Sequence, residues 1–266
     1  MKVFIVLPTY NEADNLETLI DQIFSLHPSF NILVVDDNSP DGTGQIADAL
    51  SEKDPRIHAL HRPGKLGLGT AYVEGFKYAL NQGADLIFEM DADFSHNPEY
   101  LGDFLEASKK ADLVVGSRYK NGIRIEGWKF RRLLLSKLAN IYVACLLLRP
   151  VWDFTSGFRC YKRRVLQTID LDKIRSDGYA FQIEMIHHTY KHNFTIFEIP
   201  IMFKERIRGV SKISRRIVWE ALWVPIRYHA PIFKVFKHFF SVLFGFREFI
   251  YRTALDEEEG KGGGNA

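Results

Sequence analysis

The sequence predicts an α/β fold in which a mostly parallel sheet is flanked by helices. Two observations lead to this prediction. Short apolar runs alternate with segments of helical spacing through the first half of the chain, with a repeat of roughly 25–30 residues. Polar residues follow directly after several of these runs, as they do at the carboxyl ends of buried parallel strands.

The strands are predicted from continuous apolar runs, because parallel strands are buried on both faces. They cover residues 3–7, 32–35, 57–60, 86–90 and 113–116. The helices are predicted from apolar residues spaced three and four apart, as in Leu16, Leu19, Ile20 and Ile23. They cover residues 12–26, 42–50, 70–80 and 128–150.

Composition excludes several classes of protein. The 266 residues are 46% hydrophobic and 26% charged, which argues against a disordered chain. A net charge of +2 is too small for recognition of nucleic acid by bulk charge, so we expect no nucleic-acid partner. Cys145 and Cys160 lack the paired spacing of a disulfide scaffold or zinc site. Neither a signal peptide nor an uncharged apolar stretch of about 18 residues is recognisable, and we expect a cytoplasmic protein.

Three polar clusters, at residues 9–12, 36–38 and 91–93, are expected to meet at the edge of the sheet where ligands bind. The strongest single feature is the pair Asp91 and Asp93. Two carboxylates this close can bind one hard divalent cation, Mg²⁺ or Mn²⁺. The alternative is a capping turn, because Asp93, Ser95 and Asn97 all favour turn positions.

A nucleoside site is predicted at the end of the second strand. Asp37 is a candidate acceptor of hydrogen bonds from a base edge or a ribose hydroxyl, whereas Asp36 is expected to stabilise the following turn. The glycine-rich loop at 65–70 lacks the spacing of a dinucleotide-binding or P-loop motif, which argues against a nicotinamide-dependent dehydrogenase. Its glycines are expected to let the backbone pass close to the ligand.

Basic residues suited to anionic groups follow later in the chain. Arg132 and Ser136 lie four residues apart on one predicted helix face and could together hold one phosphate. The alternative, a surface ion pair, stays open for Arg131 and Arg208. The full set is Arg118, Arg131, Arg132, Arg206, Arg208 and Lys212.

The last part of the chain differs in composition from the rest. Residues 215–252 contain seven Lys or Arg and two acids, interleaved with many aromatic residues. Such a segment is typical of amphipathic helices that lie in a membrane interface. The alternative is a helix that packs on the sheet. The predicted organisation is a catalytic domain at 1–217, a membrane-interface segment at 218–252 and a disordered tail at 253–266.

As an ordered set, the motifs resemble those of the dolichol-phosphate (polyprenol-phosphate) mannose synthases of glycosyltransferase family 2. The resemblance covers roughly residues 3–215, and the order of the motifs makes it specific. The motifs are LPTYNE (7–12), VVDDNSPDGT (34–43), LGLGTA (66–71), MDADFSHNP (90–98), GSRY (116–119), GWKFRRLLLSK (127–137), TSGFR (155–159), GYAFQIEM (178–185) and RGVSK (208–212).

The resemblance implies a GT-A (Rossmann-like) fold with a mixed, mostly parallel sheet, a GDP-mannose donor, a polyprenyl or dolichyl phosphate acceptor and a divalent metal. It implies that Asp93 and Arg118 are catalytic and that Asp91 and Asp93 bind the metal. Related enzymes often carry Gln at the position of Ser95, and the shorter serine side chain departs from that pattern. The implied donor-binding residues are Pro8, Tyr10, Glu12, Val35, Asp37, Asp91, Ala92, Asp93, Arg206 and Lys212, and the implied acceptor-phosphate residues are Arg118, Arg132 and Ser136.

Two other functions stay open from the sequence. The same chemistry with UDP-glucose or another nucleotide sugar would use the same residues, because Asp37 alone does not distinguish guanine from uracil. A non-catalytic nucleotide-sugar-binding membrane scaffold is disfavoured, since a scaffold needs no metal site. We expect inverting transfer by a peripheral protein on the cytosolic face of a membrane, with or without a separate membrane protein that anchors it.

Overall fold

The computed structural model describes residues 1–205. The strands are β1 (Val3–Thr9), β2 (Asn31–Asp36), β3 (Ile57–His61), β4 (Leu86–Glu89), β5 (Leu113–Ser117), β6 (Ile125–Glu126), β7 (Arg159–Lys162), β8 (Ile196–Pro200) and β9 (Phe203–Lys204). The α-helices are α1 (Ala13–Leu26), α2 (Thr43–Lys53), α3 (Leu68–Asn81), α4 (Leu101–Ser108), α5 (Phe130–Leu147), α6 (Arg163–Thr168) and α7 (Gly178–Lys191).

Within residues 1–205, seven strands form one sheet in the order β3-β2-β1-β4-β7-β5-β8, and β6 pairs with β9 separately. Neighbouring strands of the large sheet are parallel, except that β7 runs antiparallel to β4 and β5. The predicted mixed, mostly parallel α/β architecture is therefore confirmed. The predicted strands correspond to β1–β5, and the predicted helices to α1, α2, α3 and α5.

Two apolar layers cover the faces of the sheet. Successive side chains of a strand point to opposite faces, so the apolar run of β1 contributes to both layers. Phe4 and Val6 pack with residues of α3 and α7 on one face. Ile5 and Leu7 pack with the buried side of α1 on the other. Helices on both faces explain why β1 lacks the polar alternation of a half-exposed strand.

The antiparallel strand β7 determines which segments reach the polar edge of the sheet. Arg159, its first residue, pairs with Glu89 at the end of β4. The segment before β7 therefore lies at the same edge as the carboxyl ends of β1, β2 and β4. The β6–β9 pair lies beside this edge, where the rings of Trp128 and Phe203 meet edge to face at 5.6 Å.

Several predictions fall outside the described residues. They concern Arg206, Arg208, Lys212, the domain boundary at 217, the interface segment 218–252 and the tail 253–266. These stay predictions. Between Met1 and Glu205, the structure contains no helix long and apolar enough to cross a bilayer.

Candidate active site

A cleft of about 420 Å³ opens at the carboxyl edge of the sheet. It brings the acidic pair of the metal prediction and two of the predicted phosphate-binding arginines to one opening, although they are far apart in sequence. The predicted site residues that line it are Pro8, Tyr10, Glu12, Asp37, Asp91, Ala92, Asp93, Arg118 and Arg132.

Among residues 1–205, two predicted site residues do not line this cleft. Val35 lies in β2 with its side chain fully buried in the apolar core, so a donor contact through that side chain is not supported. Ser136 lies on α5, where its hydroxyl accepts a hydrogen bond from the Tyr119 hydroxyl at 2.7 Å. Its predicted role at the acceptor phosphate stays a prediction.

Asp91 is held by a buried histidine. The Asp91 backbone N–H donates to Nδ1 of His96 at 3.0 Å, and His96 Nε2 lies 4.0 Å from Asp91 Oδ2. Burial lowers the pKa of His96, which favours the neutral ring. Because Nδ1 accepts a hydrogen bond, a neutral ring carries its proton on Nε2, on the side of the carboxylate. The Tyr72 hydroxyl, which belongs to the apolar layer that contains α3, donates a hydrogen bond to Asp91 Oδ1 at 3.4 Å.

A tight turn orients Asp93. Phe94 has a φ of 61°, a left-handed conformation that non-glycine residues rarely adopt. This turn allows the backbone N–H of Ser95 to donate to Asp93 Oδ1 at 3.1 Å. The local geometry is thus the capping turn considered as an alternative. It leaves Asp93 on the wall of the cleft beside Asp91, so a turn and a ligand role are compatible.

The acidic pair fits a cation that is shared with a ligand rather than caged by protein. Among residues 1–205, no group of three or more His, Cys, Asp or Glu side chains could hold a metal by itself. Mg²⁺ is commonly bound by one or two carboxylates together with substrate phosphates and water, which is the donor set that Asp91 and Asp93 would supply. The buried Ser95 hydroxyl, which also lines the cleft, has no hydrogen-bond partner in this part of the chain.

A buried arginine that sequence reasoning missed holds Asp37. Arg62 Nη1 donates to Asp37 Oδ1 at 2.7 Å and to the carbonyl oxygen of Gly67 at 3.2 Å. Burial raises the pKa of Asp37, while the charge of Arg62 opposes that rise. Arg62 therefore connects the end of β2 with the glycine-rich loop and orients the carboxylate at the edge of the cleft.

The glycine-rich loop packs closely against the segment that precedes α7. The Gly69 backbone N–H donates to Asp177 Oδ1 at 2.8 Å, and Asp177 also accepts the Gly178 N–H at the start of α7. A Cβ on Gly67, whose φ is +108°, would lie 2.7 Å from Asp177 Oδ2. The expected approach of this loop to a ligand stays a prediction, and the structure adds that these glycines are required by the contact with residues 176–177.

Arg118 is buried beside the cleft, and its positive charge is compensated by the carboxylate of Asp153. Its Nε and Nη2 each donate to a different oxygen of the Asp153 carboxylate at 2.7 Å, and Nη2 also donates to the Thr155 hydroxyl. Burial by itself would raise the pKa of Asp153, but Arg118 holds it below its ordinary value. Nη1 has no hydrogen-bond partner among the described residues, so it is available to an anion.

Arg132 lies at the mouth of the same cleft. Its guanidinium carbon lies 4.1 Å from the ring centroid of Trp128, and Nη1 donates to Glu205 Oε1. An anionic ligand would therefore compete with Glu205 for this guanidinium. A half-buried cation and the Asp93 carboxylate therefore line the same cleft.

The comparisons with known proteins assign the chain to a family. The sequence model of Glycosyl transferase family 2 matches residues 4–170. The chain belongs to this family, and the resemblance drawn from its motifs is confirmed. Family membership also agrees with the observed fold.

Two relatives carry more specific names. A polyprenol monophosphomannose synthase of Mycolicibacterium smegmatis is 46% identical over 224 residues, which cover 84% of each chain. An undecaprenyl-phosphate mannosyltransferase of Micrococcus luteus is 44% identical over 222 residues, covering 84% of this chain and 91% of the relative. A glucosyl-3-phosphoglycerate synthase from Mycobacterium tuberculosis, solved with Mn²⁺ and UDP, superposes with a TM-score of 0.61 at 19% identity, covering 84% of this chain and 79% of the other. That similarity supports the GT-A fold.

Four residues with a clear role in the site were not singled out from sequence. His96 lies inside the MDADFSHNP motif and its proximity to Asp91 was a usable signal. Arg62 and Asp153 lack any such signal, since each acts on a partner from another segment. The bond between Asp177 and Gly69 likewise joins two segments that are distant in sequence. Their contributions become visible only through the hydrogen bonds that they make.

Proposed function

We propose that this chain transfers mannose from GDP-mannose to a polyprenyl phosphate of the dolichyl type, with inversion at the anomeric carbon. The observation that supports the proposal is the shared cleft, which is lined by Asp91 and Asp93 and also by Arg118 and Arg132. The names of the two bacterial relatives support mannose as the sugar and a lipid phosphate as the acceptor.

The acceptor needs little activation. The second pKa of a phosphate monoester is about 6, so the group is mostly dianionic at neutral pH and no strong general base is required. An acceptor oxygen attacks the anomeric carbon, the bond from that carbon to the diphosphate oxygen breaks, and GDP leaves with the electron pair. Attack from the face opposite the leaving group inverts the configuration and gives β-mannosyl phosphopolyprenol.

The difficulty is electrostatic, because two anions must meet. Arg118 would donate from Nη1 to the acceptor phosphate, and Arg132 would add a second cation at the mouth. Asp91 and Asp93 would hold a divalent cation at the diphosphate, and a bound Mg²⁺ or Mn²⁺ would neutralise charge that develops on the leaving group. Asp37, oriented by Arg62, would accept hydrogen bonds from the nucleoside.

Membrane association belongs to the same proposal. The acceptor is a lipid, so the protein would work as a peripheral protein on the cytosolic face of a membrane. Contact with the membrane surface, with or without a separate anchoring protein, would bring the cleft to the lipid phosphate.

The test uses the purified full-length chain, a short water-soluble polyprenyl phosphate and a panel of radiolabelled nucleotide sugars, with Mg²⁺, Mn²⁺ or a chelator. We expect labelled lipid from GDP-mannose and a cation, and loss of product with the chelator. If labelled lipid forms from UDP-glucose and not from GDP-mannose, UDP-glucose is the donor and the assignment of GDP-mannose is wrong. Binding of nucleotide sugar without any transfer would favour the scaffold.

A further inference from the structure

A buried side-chain amide on α7 lines the cleft with unused hydrogen-bonding capacity. Gln182 is 2% exposed, and it belongs to the wall of the cleft. Among residues 1–205, neither Nε2 nor Oε1 of this side chain has a partner of ordinary hydrogen-bond geometry. Buried polar side chains are nearly always paired, because an unpaired amide loses its contacts with water and gains nothing in return. The position of Gln182 therefore indicates that a ligand completes its hydrogen bonds.

The amide borders the same small space as the carboxylate of Asp91. A Cβ on Gly157, which also lines the cleft, would lie 3.6 Å from Gln182 Nε2 and 4.0 Å from Asp91 Oδ1. These are ordinary van der Waals distances. A ligand atom of about that size therefore fits between the amide and the carboxylate without displacing either of them.

The surroundings of the amide favour a neutral hydroxyl over an anion. Asp91 borders the space, and the buried carboxyl of Glu89 lies near the amide. Burial raises the pKa of Glu89 to about 7, while the charge of Arg159 and the amide of Gln182 oppose that rise. The Arg159 guanidinium itself donates to backbone carbonyl oxygens. A hydroxyl can donate to Oε1 and also accept from Nε2, whereas an ionised phosphate oxygen can only accept.

The order of the strands places Gln182 between the two phosphate positions of the proposed reaction. The backbone carbonyl of Gln182 accepts a hydrogen bond at 2.8 Å from Arg159, the first residue of β7. In the sheet order β2-β1-β4-β7-β5, β7 lies between β4, which precedes Asp91, and β5, which precedes Arg118. Asp37 follows β2, on the other side of β4. The residues proposed for nucleoside, diphosphate and acceptor phosphate thus follow one another along the sheet, and Gln182 falls between the last two.

From this arrangement we infer that the Gln182 amide hydrogen-bonds a hydroxyl group of the donor sugar and thereby selects which hexose is transferred. The inference rests on the proposed function, because the sugar lies between the diphosphate and the acceptor phosphate. A hexose with the matching hydroxyl would use the free donor and acceptor capacity of the amide. A sugar without it would leave the amide buried and unpaired, which is the basis of strong discrimination between substrates.

The test combines variants of the full-length chain with GDP-mannose analogues that each lack one hydroxyl group of mannose. The unmodified chain should prefer GDP-mannose over one of these analogues by about tenfold or more in kcat/KM, because that analogue leaves the amide unpaired. Gln182→Met keeps the length of the side chain and removes both polar atoms. This variant should lose that one preference and keep the preferences over the other analogues.

Thr189→Val is the matched control. Thr189 is fully buried about two turns further along α7, and its hydroxyl donates to the carbonyl oxygen of Met185 at 2.8 Å, away from the cleft. This variant should keep every preference of the unmodified chain. The Kd for GDP, which carries no sugar, should stay within about twofold in both variants, which also verifies that they fold.

Gly157→Ala provides a second variant that leaves the amide in place. Its methyl group would occupy the space between Gln182 and Asp91 at ordinary contact distances. We expect kcat/KM for GDP-mannose to fall by about tenfold or more, as for other overfilled sites, with the Kd for GDP unchanged. Unchanged kinetics with GDP-mannose would overturn the inference, because the sugar would then lie elsewhere.

Three further results would also overturn the inference. If Gln182→Met keeps every preference, the amide is satisfied by water or by Glu89 alone. An equal loss of preference in Thr189→Val would mean that general destabilisation is the cause. A loss of GDP affinity in Gln182→Met as large as the loss of GDP-mannose affinity would assign the amide to the nucleotide.

A separate result distinguishes failure of the proposed function. If the unmodified chain transfers no mannose from GDP-mannose, that function fails, and UDP-glucose and UDP are titrated into the same variants. Weaker binding of UDP-glucose by Gln182→Met, with an unchanged Kd for UDP, would support the sugar contact. Equal affinities of the variant and the unmodified chain, or no binding of either nucleotide sugar, would overturn it.

Discussion

The carboxylate of Glu198 accepts the backbone N–H of Asp153 at 2.9 Å, and it thereby fixes the residue that holds Arg118. Glu198 lies on β8 and Arg118 follows β5, and these two neighbouring strands are parallel. The loop residue Asp153 therefore links the two strands through its hydrogen bonds. The guanidinium is oriented by both oxygens of Asp153, which leaves only Nη1 for a ligand. The site thus contains an arginine whose direction is determined before any anion arrives.

The Arg118–Asp153 pair predicts the effect of Asp153→Asn. Loss of the carboxylate leaves a buried guanidinium without its counter-ion, and we expect a loss of about 3–5 kcal/mol in the free energy of unfolding. We also expect a raised KM for the lipid phosphate, because Nη1 is no longer directed. Denaturant unfolding and acceptor titration measure the two effects.

The control for this prediction is Asp112→Asn. Asp112 is similarly buried and bonds to Arg164 and to the backbone of Thr195, away from the cleft. It should destabilise the protein without a change in acceptor KM. An equal KM change in both variants would mean that general destabilisation, rather than Arg118, determines acceptor affinity.

The acidic pair predicts that Asp93→Ala abolishes turnover. The side chain that would bind the cation is lost, and the turn at Phe94 loses the hydrogen bond from the Ser95 backbone N–H. Steady-state transfer at saturating Mg²⁺ or Mn²⁺ is the measurement, with Asp103→Ala on the exposed side of α4 as the control. Activity of the Asp93 variant within about threefold of the unmodified chain would remove the metal assignment, since lost transition-state stabilisation of this kind is usually far larger.

Neighbouring arginines on α5 predict a contrast between two alanine variants. Arg132→Ala should raise the KM for a soluble lipid phosphate far more than the KM for the donor, because Arg132 lies at the cleft mouth. Arg131→Ala should leave both values within about twofold, as expected for an exposed surface substitution. If Arg132→Ala raised the donor KM more than the acceptor KM, Arg132 would belong to the donor phosphate site instead of the acceptor phosphate site.

Glu89 predicts a pH dependence of stability. Burial raises its pKa to about 7, against the opposing charge of Arg159. A carboxyl whose pKa is raised in the folded state binds more protons there than in the unfolded state, so stability falls as pH rises through that value. Between about pH 5 and pH 8 the free energy of unfolding of the unmodified chain should fall relative to Glu89→Gln, by on the order of 3 kcal/mol.

Unfolding titrations at both pH values measure this difference. Glu99→Gln, on the exposed turn before α4, is the control and should follow the unmodified chain. Parallel pH profiles for Glu89→Gln and the unmodified chain would show that Glu89 ionises normally in the fold.

The glycine-rich loop predicts that Gly69→Ala is harmful and that Gly64→Ala is neutral. A Cβ on Gly69 would lie 2.5 Å from the carbonyl oxygen of Ser176, whereas a Cβ on Gly64 would meet no atom within 4 Å among the described residues. We expect Gly69→Ala to lower the free energy of unfolding by about 1–3 kcal/mol and to raise the donor KM. Thermal unfolding and donor titration are the measurements, and equal behaviour of the two variants would contradict the close approach.

Sequence alone determined the features that depend on neighbouring residues. The strands β1, β2 and β4 follow from apolar runs, and the polar residues at their ends follow from their place directly after those runs. Parallel strands bring their carboxyl ends together, so Asp37 and Asp91 could be assigned to one edge of the sheet before any coordinates. The ordered motifs then identified the family.

Tertiary structure alone decided which partners orient those residues. Asp177 bonds to Gly69 from 108 positions away, and Asp153 bonds to Arg118 from 35. An aspartate has the same local signature whether it caps a turn or holds a distant arginine, because the sequence carries no record of which segments the antiparallel strand β7 brings together. The pairing of strands sets these distances, and only in the folded chain do the acids and the arginines line one cleft.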